Sequence, residues 1–136
     1  MIDIEMNIRI VIGILVLFLI GGAAFSVSAQ EKKPEPCPDA QTQFEMNQCA
    51  GKAYKAADAE LNQVYQKLVA MLDDEEKTQL KNVETTWLKY RDANCEFVAD
   101  QFKGGSIRPM IHALCLADMT RNRIAEIKNQ ITERDQ

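Results

Sequence analysis

Four cysteines carry the clearest chemistry in this chain: Cys37, Cys49, Cys95 and Cys115. Cysteine side chains bind zinc or join in disulfides, and structural zinc sites usually contain closely spaced Cys-x-x-Cys pairs. The spacings here are 12, 46 and 20 residues, so the sequence contains no such pair. An even number of cysteines without that spacing favours two disulfides in an oxidising compartment. The sequence predicts neither a metal site nor any other cofactor.

His112 is the single histidine of the chain, and it lies three residues before Cys115. A catalytic Cys–His pair needs a free thiol of low pKa, whereas Cys115 is expected to be oxidised. The sequence also lacks the common motifs of nucleophilic, zinc-peptidase and phosphate-binding sites. Four consecutive acids are interpreted as the solvated start of a helix rather than as a catalytic pair: Asp73, Asp74, Glu75 and Glu76. We therefore predict no catalytic residues.

Three segments carry apolar residues at steps of three and four, the spacing that is typical of amphipathic helices. The first segment opens with a capping box, in which Thr42 accepts from a first-turn amide and Glu45 reaches back. Acids stabilise helix N-termini, so the second helix is predicted to begin near Asp74. The predicted buried stripe of the first helix contains Met46, Cys49, Ala53, Ala57, Leu61, Val64, Leu68 and Leu72.

Similar stripes run along the second and third helices. The second contains Leu80, Val83, Trp87, Tyr90, Asn94, Phe97 or Val98, and Phe102. The third contains Ile107, Met110 or Ile111, Leu114, Ala117, Arg121, Ile124, Ile127 or Lys128, and Ile131. Between them, Gly104, Gly105 and Ser106 are expected to end one helix and cap the next. We predict an all-α fold, an antiparallel three-helix bundle stapled by two disulfides.

Short turns between antiparallel helices determine which residues lie opposite one another. Residues at equal distances before and after a turn lie opposite each other, and we call this relation reflection through the turn. Reflection through the turn between the second and third helices places Cys95 opposite roughly position 114, so a bond to Cys115 is preferred. Its loop of 20 residues would stabilise the fold by about 3 kcal/mol, and Cys37 would pair with Cys49. The alternative joins Cys49 to Cys95, since reflection through the first turn places Cys49 opposite roughly position 98. Cys37 would then pair with Cys115.

Two arginines are predicted to lie between helices. The same reflection brings Arg91 close to Asp58 on the first helix and to Asp118 on the third, which would form a clamp inside the bundle. Arg123 falls opposite the neighbourhood of Trp87, where its guanidinium can stack on the indole. We interpret both arginines as structural ion-pairing residues, with ligand contacts as the alternative.

The first 29 residues have the pattern of a secretory signal peptide. The apolar run at 10–20 is about half as long as a membrane-spanning helix needs to be. Val27-Ser28-Ala29 predicts cleavage after Ala29, so contact with the membrane is expected only through this segment before cleavage. An uncleaved anchor is the alternative. The predicted organisation is a signal peptide at 1–29, a proline-rich lead-in at 30–41 and a helical domain at 42–132.

The length and the charge of the chain limit the classes of protein to which it can belong. The chain has 136 residues, of which 46% are apolar and 26% are charged, a balance that is typical of one globular domain. Its formal net charge is −4, and its pI is about 5.0. Nucleic acids are bound mainly through clustered basic residues, so this composition argues against a nucleic-acid partner.

Three blocks of sequence occur in order with the four cysteines: ADAELNQVY at 57–65, WLKYRDANC at 87–95, and GGSI at 104–107, continuing through Cys115 to Arg123. Together they resemble the LprI-type lysozyme inhibitor domain of small exported bacterial proteins, over about Cys37 to Ile131. The resemblance implies a helical, disulfide-linked, exported domain that inhibits lysozyme. Its signature positions, which we interpret as mainly structural, are Asp58, Leu61, Asn62, Tyr65, Trp87, Tyr90, Arg91, Asp92, Gly104, Gly105, Ser106 and Arg123.

The function favoured by this resemblance is binding to lysozyme without catalysis. Host lysozymes are basic, so an acidic exported partner would gain encounter rate from complementary electrostatic fields. Two turns are candidate partner-binding loops, one at 73–77 with its four acids and one at 104–108 with Gly104, Gly105 and Ser106. The alternative is a periplasmic envelope interaction module that does not inhibit lysozyme. Apolar residues exposed outside the core stripes would favour that alternative, and the candidates are Phe44, Tyr54 and Phe97.

Overall fold

Within residues 37–136, three helices of 27 residues each make up the fold: α1 (Gln43–Val69), α2 (Asp74–Asp100) and α3 (Arg108–Arg134). The computed structural model describes residues 37–136, so the predicted signal peptide, its cleavage site and most of the lead-in lie outside the described residues. Within 37–136 there is no strand, and the predicted all-α bundle is confirmed. No helix in this part of the chain combines the length and apolar content needed to cross a bilayer.

The first two helices begin where their capping residues predict. The Thr42 hydroxyl accepts a hydrogen bond from the Glu45 amide at 3.2 Å, and the Glu45 carboxylate accepts from the Thr42 amide at 2.9 Å. These bonds, led by one from the Gln41 amide, lower the pKa of the Glu45 carboxyl. Asp73 and Glu76 form the same reciprocal box at the start of α2. Both boxes satisfy amides that helix starts leave without partners.

The start of α3 differs from the prediction, because Ser106 does not cap it. Ile107 occupies the N-cap position and makes no side-chain cap bond, while Pro109 lies in the first turn and has no amide hydrogen to satisfy. The Ser106 carbonyl instead accepts a hydrogen bond from the Asn47 side chain at 3.1 Å. Gly104 fits the predicted turn, since its φ of 82° is a conformation that favours glycine.

The helices pack unequally. α1 and α3 run parallel and approach each other most closely, whereas α2 is antiparallel to both and contacts α3 more than α1. The parallel register appears in the ion pair from Lys128 on α3 to Glu60 on α1, at 2.6 Å. Small buried side chains on α1 and α3 are compatible with their close approach: Ala50, Ala57, Ala117 and Thr120. The wider spacing of α1 and α2 leaves room for large side chains between them.

The apolar core lies towards the turn between α1 and α2. Its buried members are Leu61, Val64, Leu68, Leu72, Leu80, Ile124 and Ile127. All seven lie on the predicted stripes, so the stripes are confirmed along most of α1 and the second half of α3. Trp87 and Tyr65 pack against this cluster while remaining partly exposed.

The predicted stripe of α2 is wrong in its middle. Val83, Tyr90 and Phe97 are 52%, 61% and 75% exposed, and we call these three residues the outer face of α2. Val98, the predicted alternative to Phe97, is half-buried. Phe102, also assigned to the stripe, is exposed as well. The residues that α2 buries are Leu80, Glu84, Arg91, Cys95 and Ala99. Helix α2 is therefore rotated by about one residue relative to its apolar pattern, because Cys95 must reach α3 and two ion-paired side chains share its face.

Substitutions on α2 should distinguish its two faces. We expect Tyr90→Ser and Phe97→Ser to change the free energy of unfolding by less than about 0.5 kcal/mol, because both side chains are mainly in water. Leu80→Ala should lower it by about 2–4 kcal/mol, since Leu80 is buried. Urea denaturation of the oxidised protein measures all three. A loss above about 2 kcal/mol for Phe97→Ser would contradict the observed rotation of α2.

Two disulfides join Cys37 to Cys49 and Cys95 to Cys115, with Cα–Cα distances of 5.9 and 5.5 Å. The preferred pairing is confirmed, and the alternative pairing of Cys49 with Cys95 is wrong. The first bond ties the described end of the lead-in to α1. The second joins α2 to α3 directly, and Cys95 is completely buried.

Candidate functional site

Arg91 lies at the centre of the bundle and is only 4% exposed. Its guanidinium donates to Asp92 Oδ1 through Nε at 2.9 Å and to the Thr120 hydroxyl through Nη1 at 3.3 Å. Nη1 also lies 3.6 Å from Asp58 Oδ1 on α1. The predicted contact with Asp58 is thus present, while Asp118 forms an ion pair with Arg121 at 2.9 Å. Arg91 connects all three helices.

Arg123, 6% exposed, makes a second buried ion-pair centre with Glu84. Its Nε donates to Glu84 Oε2 at 3.0 Å, and its Nη1 donates to Glu126 Oε2 at 2.8 Å. Burial alone would lower the pKa of Arg123, but the hydrogen bonds that it donates to Glu126 and Glu84 outweigh this effect and raise that pKa. Glu84 Oε1 is buried without a hydrogen-bond partner, so Glu84 binds Arg123 through only one of its two carboxylate oxygens.

Trp87 is held between these two arginines. Its ring centroid lies 5.3 Å from the guanidinium carbon of Arg91 and 5.8 Å from that of Arg123. Tyr54 flanks Arg91 in the same way at 5.4 Å, and burial raises the pKa of its hydroxyl. Such distances allow cation–π attraction, which is stronger where water is excluded. The predicted stacking of Arg123 on Trp87 is therefore present, and Arg91 adds a second cation.

A groove runs between α1 and α2 beside this centre, where the two helices stand apart. Its volume is about 380 Å³, and we call it the α1–α2 groove. It lies in the half of the bundle nearer to the turn between the two helices. Four signature positions line its α1 side, namely Asp58, Leu61, Asn62 and Tyr65. The α2 side is lined by Lys81, Glu84, Thr85 and Leu88.

The two candidate loops differ in how they are held. In the 73–77 turn, each of Asp73 and Glu76 accepts a hydrogen bond from the backbone amide of the other. These two acids therefore stabilise the start of α2, in addition to any contact with a partner. The 104–108 turn is fixed by Arg108, which pairs with Glu96 and with Asp100 at the end of α2. Hydrogen bonding to Arg108 lowers the pKa of the Asp100 carboxyl, and the pKa of Arg108 rises in return. The bundle places these turns at opposite ends.

Within residues 37–136, Cys115 has no free thiol that could act together with His112. Cys115 is bonded to Cys95, and the His112 ring is partly buried, with Nε2 3.5 Å from the Glu96 carboxylate. Within residues 37–136, no three His, Cys, Asp or Glu side chains are grouped so that they could hold a metal ion. The acids at 73–76 lie at a helix start in solvent, as the sequence predicts.

The signature positions divide among four places. Trp87, Arg91 and Arg123 meet in the buried centre with Asp92 at its edge, four others line the groove, and Tyr90 is exposed on the outer face of α2. Gly104, Gly105 and Ser106 lie in the turn between α2 and α3. Sequence reasoning missed Glu84 and Thr120, which contact the two arginines. A signal for Glu84 was available, because positions 84, 91 and 95 share a helix face at steps of seven and four.

Comparison with known proteins adds three findings. A family model described as lysozyme inhibitor LprI matches residues 35–127, more than half of the chain. An uncharacterised protein of Rhizobium meliloti (strain 1021) is 39% identical over 114 aligned positions, which cover 74% of this chain and 82% of the relative. No solved structure matches significantly. The matched region includes both disulfides, the buried arginines and the α1–α2 groove.

Proposed function

The chain belongs to the LprI lysozyme inhibitor family, and on that premise we propose that it is an exported, non-catalytic protein that inhibits a lysozyme by binding to it. Family membership is the observation that carries the proposal. Two disulfides support export, since such bonds persist in oxidising compartments outside the cytoplasm. The net charge of −4 supports attraction to a basic partner.

Inhibition by contact needs a surface that is already ordered before the partner arrives. Ordering a loop on binding costs free energy, so a loop that is fixed beforehand binds more tightly. The 104–108 turn fits this requirement through Arg108 and through the bond from Asn47 to the Ser106 carbonyl. The 73–77 turn offers negative charge instead, with Glu75 exposed at its tip. We propose both turns as candidate contacts for the lysozyme cleft.

Lysis of a peptidoglycan suspension tests the proposal directly. The oxidised protein is added at rising concentration to c-, g- and i-type lysozymes, and we expect loss of activity for one class. A variant in which residues 73–76 carry the opposite charge should inhibit less at low salt than at high salt, because its basic turn repels a basic lysozyme and salt screens that repulsion. Unchanged lysis by every class, with the helical circular dichroism spectrum intact, would contradict the proposal.

A periplasmic envelope interaction module without lysozyme inhibition is the second candidate function. The observation that favours it is the outer face of α2, together with Phe44, which is also exposed. Exposed apolar side chains along one helix face can form a surface that binds other molecules. Co-sedimentation with purified peptidoglycan distinguishes the candidates. Sedimentation that is lost in a Tyr90→Ser, Phe97→Ser double variant, without any inhibition of lysis, would favour the module.

A further inference from the structure

The α1–α2 groove is bordered by two buried ion-pair centres. Each buried arginine serves two carboxylates: Arg91 lies against Asp58 and Asp92, and Arg123 against Glu84 and Glu126. Two of these four acids, Asp58 and Glu84, line the groove, and among the described residues Lys81 is the one basic side chain that lines it. The acids beside the groove are therefore incompletely neutralised.

Hydrogen-bonding capacity in the groove is also incompletely used. Glu84 Oε1 is a buried acceptor without a partner. Asp58 is about half exposed, and it lies 3.6 Å from Arg91, beyond ordinary hydrogen-bond length. Buried carboxylate oxygens normally accept hydrogen bonds, because leaving them without a donor costs free energy. A positively charged donor in the groove would pair with the accessible Asp58 carboxylate, beside a Glu84 carboxylate that has one unpaired oxygen.

We infer that the α1–α2 groove receives a lysine or arginine side chain presented by the protein partner, with Asp58 as its ion-pairing residue and Glu84 on its inner wall. The inference rests on the proposed function for the identity of that partner, a basic lysozyme. Tyr65, half-buried at the same groove, supplies an aromatic ring of the kind that attracts cations. The guanidiniums of Arg91 and Arg123 already lie against carboxylates, although Arg123 Nη2, like Glu84 Oε1, has no hydrogen-bond partner.

Thr85 allows a test in which only the sign of the charge is changed. It is exposed on α2, lines the groove and bonds only to its own helix, at the Lys81 carbonyl. Thr85→Lys should raise the Kd for the inhibited lysozyme at least about fivefold, and Thr85→Glu should lower it. Both effects should shrink between 0.05 and 0.5 M salt, because ions screen exposed charges. Isothermal titration calorimetry measures all the affinities.

A second pair of variants keeps the test independent of Thr85. Asp58→Asn removes the proposed ion-pairing residue, and Asp135→Asn makes the same chemical change beyond the end of α3. We expect weaker binding for the first and no change for the second, provided that both unfold at the same urea concentration as the parent. Should Asp58→Asn unfold earlier, Lys81→Gln replaces it, with tighter binding expected because a competing cation is removed.

A tetra-arginine peptide separates this inference from the proposed function. Titrated into the protein, it should shift the NMR signals of the Asn62 side-chain amide, and Thr85→Lys should abolish that shift. If no lysozyme binds but the peptide still shifts Asn62, the proposed function fails and the groove remains a cation site. If lysozyme binds equally to the parent and to both Thr85 variants, and the peptide leaves Asn62 unchanged, the groove inference is wrong.

Discussion

Replacing Arg123 by leucine is expected to lower the free energy of unfolding by about 3–5 kcal/mol, because it leaves a buried carboxylate without its opposite charge. Glu84 is 8% exposed and reaches Arg123 across the bundle at 3.0 Å. A charge in such a place cannot recover the hydration that it loses on folding. Urea denaturation of the oxidised variant at pH 7 measures the loss.

Two further variants identify the cause of that loss. Arg121→Leu removes an exposed ion pair from the same helix and should cost less than about 1 kcal/mol. Adding Glu84→Met to Arg123→Leu should restore at least half of the stability, since apolar side chains can replace a buried pair. A deficit that persists unchanged in the double variant would point to lost packing instead.

Removing the bond between Cys95 and Cys115, by changing both residues to alanine, is expected to cost about 3 kcal/mol, because a loop of 20 residues is released in the unfolded chain. The same bond fixes the rotation of α2, since it holds a completely buried residue of α2 against α3. Hydrogen exchange should therefore speed up along α2 more than along α1. Denaturation and exchange are measured on the same sample.

The bond between Cys37 and Cys49 provides the comparison. The described segment before α1 contributes no residue to the apolar core, so its release should fray the lead-in without opening the bundle. We expect the corresponding double alanine variant to lose clearly less stability than the first. Equal losses for the two variants would mean that the lead-in is part of the cooperative unit.

Capping boxes, helix stripes and disulfides were predictable because each follows from short-range pattern or from turn geometry. Thr42 and Glu45 are sufficient to mark the start of α1, and the reflection of Cys95 onto the region of Cys115 needs only helix lengths. The rotation of α2 was not predictable in the same way. Its apolar pattern favours Val83, Tyr90 and Phe97, and only the position of the partner helices selects the other face.

The candidate site was less predictable than the fold. Reflection correctly placed Arg91 near Asp58 and Arg123 near Trp87, because long cationic side chains tolerate errors of a residue or two. The α1–α2 groove could not be derived, since it exists only where two helices stand apart, and that spacing depends on the summed sizes of side chains from all three. Glu84 was missed because buried helix positions were assigned from apolar residues, and a glutamate does not fit that pattern.

The position of Trp87 determines what the intrinsic fluorescence of this protein reports. It is the single tryptophan of the chain, and its indole lies between two guanidinium groups at the junction of three helices. Indole emission responds to nearby charge and to water, so the colour and intensity of this protein's fluorescence report on one known place. The fluorescence should change when the protein unfolds or when the disulfide between α2 and α3 is reduced. It should also change when a bound partner breaks the contact between Asp58 and Arg91. Trp87 is therefore an intrinsic fluorescent probe of these changes, and no dye needs to be attached to the protein.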